Sequence, residues 1–175
     1  MKIKALAITG CLAAAITIPA PAKDTNTENA FQMLKDFRTV ADDAAKQADK
    51  LQVLSMPEEA GWEVNASYLN ALRDDVNRMG QMLANLEAIR GSATPEEQAA
   101  IDRAAEWLPS MASEVKQAID YLNTRQTNFW MPEYRQPIDA LAVEATRVAS
   151  ASNEAVRLQQ LQAKERKLKN GLEGA

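Results

Sequence analysis

The side chains best suited to acid–base or metal chemistry are carboxylates in adjacent pairs: Asp42/Asp43, Glu58/Glu59, Asp74/Asp75 and Glu96/Glu97. A site built only from carboxylates could hold a hard cation through oxygen or pass a proton. Spacing argues against both uses. Neighbouring residues on a helix point about 100° apart, so no pair chelates. Glu58/Glu59 and Glu96/Glu97 stand where helices should begin, and negative charge there faces the positive end of the helix dipole. The pairs read as solvated faces and dipole partners.

Other chemistries lack their residues. The chain has no histidine and one cysteine, Cys11. Carboxylate-bridged di-iron bundles use Glu-x-x-His pairs facing inward. Zinc sites of the usual Cys/His type are absent. Haem-binding bundles need an axial histidine or an attachment motif of two cysteines and a histidine, both absent, and nucleophilic triads lack their base. The sequence therefore carries no candidate catalytic, cofactor-binding or metal-binding residue, and the expectation is a protein without enzyme activity.

Two groups of residues could instead bind something. Trp62, Tyr68, Tyr121, Phe129, Trp130 and Tyr134 comprise most of the chain's aromatics, and alternating helices would collect them at one end. An aromatic surface with polar tips suits a partner helix, a peptide or an apolar ligand. The competing reading is a plug that covers the last core layer. The second group is Gly80, Trp107 and Pro109, which fall at similar height in the opposite half. A glycine inside a helix costs about 1 kcal/mol against alanine. These irregularities could mark a cavity or a hinge, or Trp107 could simply fill the room that Gly80 leaves.

The elements that must position these residues follow from hydrophobic spacing. Trp62, Leu69, Leu72, Val76, Met79, Leu83 and Leu86 recur at three- and four-residue steps, with Asn65 in the one polar slot. That is the seam of one long helix. Ala30, Leu34, Phe37, Ala41, Ala44, Ala48 and Leu51 form a second seam. Ile101, Ala104, Leu108, Met111, Val115, Ala118 and Leu122 form a third. The fourth is Ile138, Leu141, Ala145, Val148, Ser152 and Ala155, where the spacing slips and Leu158, Leu161 and Leu168 take over. None can bury its stripe alone.

The expected helices span about 27–54, 57–90, 95–128 and 137–170. Pro57 and Pro137 should open the second and fourth helices. Gly91 should close the second as a left-handed cap. Thr94-Pro95-Glu96-Glu97 spells a capping box. The third period runs through Pro109, which should kink that helix without breaking it. Asp74 and Arg78 are four apart and should pair. Asn65 should fix register, and Arg125 should extend its head to water. Three short connections between helices of similar length specify an all-α, up-down-up-down antiparallel four-helix bundle.

Residues 1–22 read as a cleavable signal peptide. Lys2 and Lys4 give the charged start, Ala5 to Ile18 the apolar run, and Ala20-Pro21-Ala22 the small residues before cleavage, leaving 23–175 as the bundle. The apolar run is too short to span a membrane. Ile8-Thr9-Gly10-Cys11 resembles a lipobox, but apolar sequence continues past Cys11 and favours ordinary cleavage. The expected location is the periplasm of a bacterium, or secretion. The net charge is −4 and becomes more negative once Lys2 and Lys4 leave. That balance argues against nucleic acid. The sequence points to a protein that binds a partner through its helix faces or aromatic end. Alternatives are an apolar-ligand carrier and a structural protein that forms a homodimer through its fourth helix.

Overall fold

Each of the four apolar stripes forms a helix because the intervening residues are strong helix formers and, Gly80 and Pro109 apart, the breakers sit at or near the ends. The computed structural model describes residues 25–56 and 61–173. It contains α1 (Thr25–Leu54), α2 (Trp62–Ala88), α3 (Pro95–Thr124) and α4 (Pro132–Glu173). Single 3₁₀ turns at Arg90–Ser92 and Gln126–Asn128 lie in the second and third connections. The signal peptide and the Cys11 lipobox fall outside the described residues, as does the expected helix start at Pro57.

Each helix packs against its two neighbours in a closed ring, α1 on α2, α2 on α3, α3 on α4 and α4 on α1. Side-chain hydrogen bonds give the direction. Asp42 accepts from Asn153, and ten residues further along α1 Gln52 donates to Asp139. Advancing on α1 therefore means retreating on α4. The result is a compact antiparallel four-helix bundle. Among the described residues, no helix is long and apolar enough to cross a membrane.

The seams of α1 and α3 are buried at every position named above, and so is that of α2 apart from the half-buried Trp62. Alanines at four places on α1 let its neighbours approach closely. On α4 burial holds from Tyr134 to Val156 and then stops. Leu158, Leu161 and Leu168 are exposed, contrary to the expected continuation of the seam. Two things cause this. The seam rhythm passes from Ala155 to Gln159 and Gln162, which are half-buried and donate to Glu97 and Glu96 at the start of α3, so Leu158 and Leu161 stand one residue off the seam. Beyond Gln162 α4 has passed the start of α3, which begins at Pro95, and Leu168 lies in that stretch.

Helix ends follow local chemistry, with four departures. The capping box forms: Glu97 N donates to Thr94 Oγ1 at 3.3 Å and Thr94 N donates to Glu97 Oε2 at 2.8 Å. α2 is entered through Gly61, in extended conformation, so its first helical residue is Trp62. Gly91 has no positive φ and is no left-handed cap. It lies in a 3₁₀ turn, where Ser92 N bonds Ile89 O and Ala93 N bonds Arg90 O. With Ile89 N on Leu86 O as well, the chain leaves α2 through a run of three-residue bonds in place of a left-handed residue. α3 ends at Thr124 rather than 128, and α4 opens at Pro132 rather than Pro137. Pro132 takes the first helical position, where a missing N–H costs nothing. Pro137 sits just over one turn in and forfeits a single backbone bond. α3 continues unbroken through Pro109, which is exposed.

Candidate binding site at the aromatic end

α3 and α4 meet at a short connection, and this turn brings four aromatics together. Phe129 and Tyr134 are buried, Tyr121 is half-buried and Trp130 is exposed. The Phe129 ring meets Trp130 edge-on at 5.5 Å between centroids and Tyr134 edge-on at 6.5 Å. Tyr121 and Tyr134 are tilted at 5.8 Å. These are favourable arrangements for ring quadrupoles. The Tyr121 hydroxyl donates to Asn128 O at 3.0 Å and ties the turn to α3. Arg125 is exposed, in keeping with a head turned to water, and its guanidinium lies over the Tyr121 ring at 5.6 Å.

Tyr134 reaches across to α2. Its hydroxyl donates to Asn65 Oδ1 at 3.1 Å, a bond buried at both ends. Asn65 Nδ2 donates to Leu54 O and to Gly61 O, each at 3.1 Å. The amide orientation is thus set by two carbonyls, and its oxygen accepts from the Tyr134 hydroxyl. Burial pushes the Tyr134 hydroxyl far above the ordinary tyrosine range, so it remains a neutral donor. Leaving any of these groups unpaired in the core would cost about 1–3 kcal/mol. The polar slot in the α2 seam is therefore a junction of the end of α1, the entry to α2 and the start of α4. Its partner is not legible from spacing, although a buried amide demands one.

Tyr134, Phe129 and Tyr121 form a plug. Trp62 and Tyr68 pack half-buried against the core. What remains for another molecule is the rim. Trp130 is 40 % exposed and Met131, which the sequence did not single out, is 39 % exposed. Val53, Met56 and Val64 are exposed on the α1–α2 connection side of the same end. A tryptophan beside a methionine offers a large stiff surface and an adaptable one.

Gly80 and Pro109 face outward rather than into the core, and a Cβ placed on Gly80 would meet no atom within 4 Å. Trp107 therefore does not fill a space left by Gly80; it lies half-buried against the core.

Members of the Asp42/Asp43 and Asp74/Asp75 pairs go separate ways, while Glu96 and Glu97 both accept from glutamines of α4. Asp42 accepts from Asn153 on α4, while Asp43 pairs with Lys46. Asp74 pairs with its neighbour Arg73 rather than with Arg78, and Asp75 accepts from Gln47 on α1 at 2.7 Å. Glu58/Glu59 lie outside the described residues. Among the described residues no three acidic, cysteine or histidine side chains converge on a metal-sized site.

No family model, curated protein or solved structure matches the chain.

Proposed function

We propose that the mature chain is an exported bacterial protein that acts by binding another protein rather than by catalysis, and that the rim of the aromatic end is its contact surface. The observation that carries this reading is the exposure of Trp130 and Met131 on a turn whose other aromatics are locked in place. Exposed aromatics on a rigid base lose little entropy on docking, and tryptophan is among the side chains that most often dominate binding energy. The signal-like start supports export, and the missing histidines and dispersed carboxylates support a non-catalytic role.

The test has two parts. N-terminal sequencing of the exported protein should begin at Lys23. Immobilised mature chain should then capture a defined protein from an extract of the native compartment, and titration calorimetry should give its affinity. Trp130→Ala with Met131→Ser should weaken that affinity roughly tenfold or more. Equal affinity in the double variant would remove the rim from consideration.

A further inference from the structure

The end of α4 carries a second surface of different character. Leu158, Leu161, Leu168 and Leu172 fall within about 80° of the helix circumference, and their exposure rises from 38 % at Leu158 to 80 % at Leu172. With Glu165 between them, the steps are three, four, three and four residues. That is the spacing of a coiled-coil inner seam; its first member, Leu158, borders α3 beside Glu96, Ala99 and Arg103, and the later leucines are more than half exposed. Of the positions flanking this seam, Arg157, Lys164 and Lys169 are exposed cations, Gln162 is half-buried and donates to Glu96 of α3, and the last is Gly171. Residues 157–173 hold five cations against two carboxylates, in a chain whose net charge is −4. Glu165, inside the seam, is bridged to Lys169 at 2.8 Å.

We propose that this stretch of α4 docks an amphipathic helix of a partner protein whose flanking positions are acidic. Charge decides the occupant. In a parallel pairing of two copies Lys164 of one would face Lys169 of the other, and in an antiparallel pairing like would again face like. Flanking charges set partner choice in such seams, and like charges oppose it. An acidic helix reverses every one of these contacts. A lipid surface fits less well: the apolar stripe is narrow, holds no aromatic residue and has a carboxylate at its centre, whereas interfacial helices bury a broad apolar face. Glu165 adds selectivity, since a polar residue inside the seam favours a partner with a cation or amide facing it.

The experiment uses the full mature chain and two fluorescent peptides about four heptads long. Both have leucine at the inner positions; one carries glutamate at all flanking positions and its twin carries lysine. The acidic peptide should bind, with affinity that falls as salt rises, and the lysine twin should not. Leu161→Glu with Leu168→Glu should weaken binding on the order of a hundredfold; both residues are outside the core, and an unchanged circular dichroism melt confirms the fold. Lys164→Glu with Lys169→Glu should transfer preference to the lysine twin. Failure to bind the acidic peptide, equal binding of the twins, or indifference to the leucine substitutions would overturn the proposal. So would a homodimer by sedimentation that the leucine variant abolishes, or leucine-dependent binding to anionic vesicles in place of peptide. Because Trp130 and Met131 are unchanged in these variants, their outcome is independent of the test of the rim.

Discussion

At one end of the bundle three helix termini converge on Asn65 and Tyr134, and the side chains there answer one another. At the other end α4 leaves its neighbours, and past Gln162 every described side chain on it is exposed. Both ends display apolar residues, but for opposite reasons. Trp130 and Met131 are held out by a packed base. Leu161, Leu168 and Leu172 are out because they stand off the packed seam or beyond it. Stability thus gathers at the aromatic end, whereas the far stretch of α4 depends on its own helix propensity and on local pairs such as Lys169–Glu165.

That contrast can be broken by measurement. Tyr134→Ala empties the plug and should cost about 3–5 kcal/mol in a urea titration; a loss of less than about 1 kcal/mol would mean that the aromatic end is not where stability gathers. Tyr134→Phe keeps the ring and removes only the donor, leaving Asn65 Oδ1 unpaired. It should cost about 1–3 kcal/mol by the same titration.

The waist between the ends supplies a pH-dependent control. Asp75 and Glu114 have proton affinities raised chiefly by burial; Glu144 adds to the effect at Glu114, and the hydrogen bond from Gln47 works against it at Asp75. The folded chain then keeps protons that the unfolded chain has already released. The stability these groups contribute is full at acid pH and is lost as pH rises from the ordinary carboxylate range through the raised folded values. Asp75→Asn and Glu114→Gln should remove this decline, so both variants gain on the wild type at neutral pH and not at acid pH in paired urea titrations. Gln47 Oε1 is buried without a hydrogen bond, and the amide introduced by Asp75→Asn would bring it a donor.

The smallest effect belongs to the far end. A chain ending at Gln162 should unfold within about 0.5 kcal/mol of the full chain. A larger loss by differential scanning calorimetry would show that the leucine stripe supports the core after all.

Much of this architecture was legible in the sequence because seam spacing is a local property. The buried faces of α1, α2 and α3 follow the three-and-four rhythm closely, and the Thr94 capping box is written in four residues. The errors arise where the answer depends on something distant. Leu158, Leu161 and Leu168 keep a helical rhythm, but burial depends on what they face: Gln159 and Gln162 take the inward positions beside α3, Leu158 and Leu161 stand one residue off them, and Leu168 lies beyond the start of α3. Pro132 and Pro137 are both acceptable helix starts, and the aromatic packing at Phe129 and Tyr134 selects the earlier one. Gly91 offered a left-handed cap that a 3₁₀ turn made unnecessary. At the aromatic end the residues could be gathered from topology, but which of them form the plug and which the rim is decided by three-dimensional packing. The bond between Asn65 and Tyr134 spans 69 positions in the chain and leaves no periodic trace.

That bond has a bearing on how the molecule assembles. Asn65 belongs to the hairpin of α1 and α2, and Tyr134 to the hairpin of α3 and α4. Each half, made alone, would carry one member of a pair it cannot complete, together with an apolar face open to water. The two halves are therefore poor autonomous folding units, and structure should arrive in both at once, when the N-terminal hairpin first meets the C-terminal one.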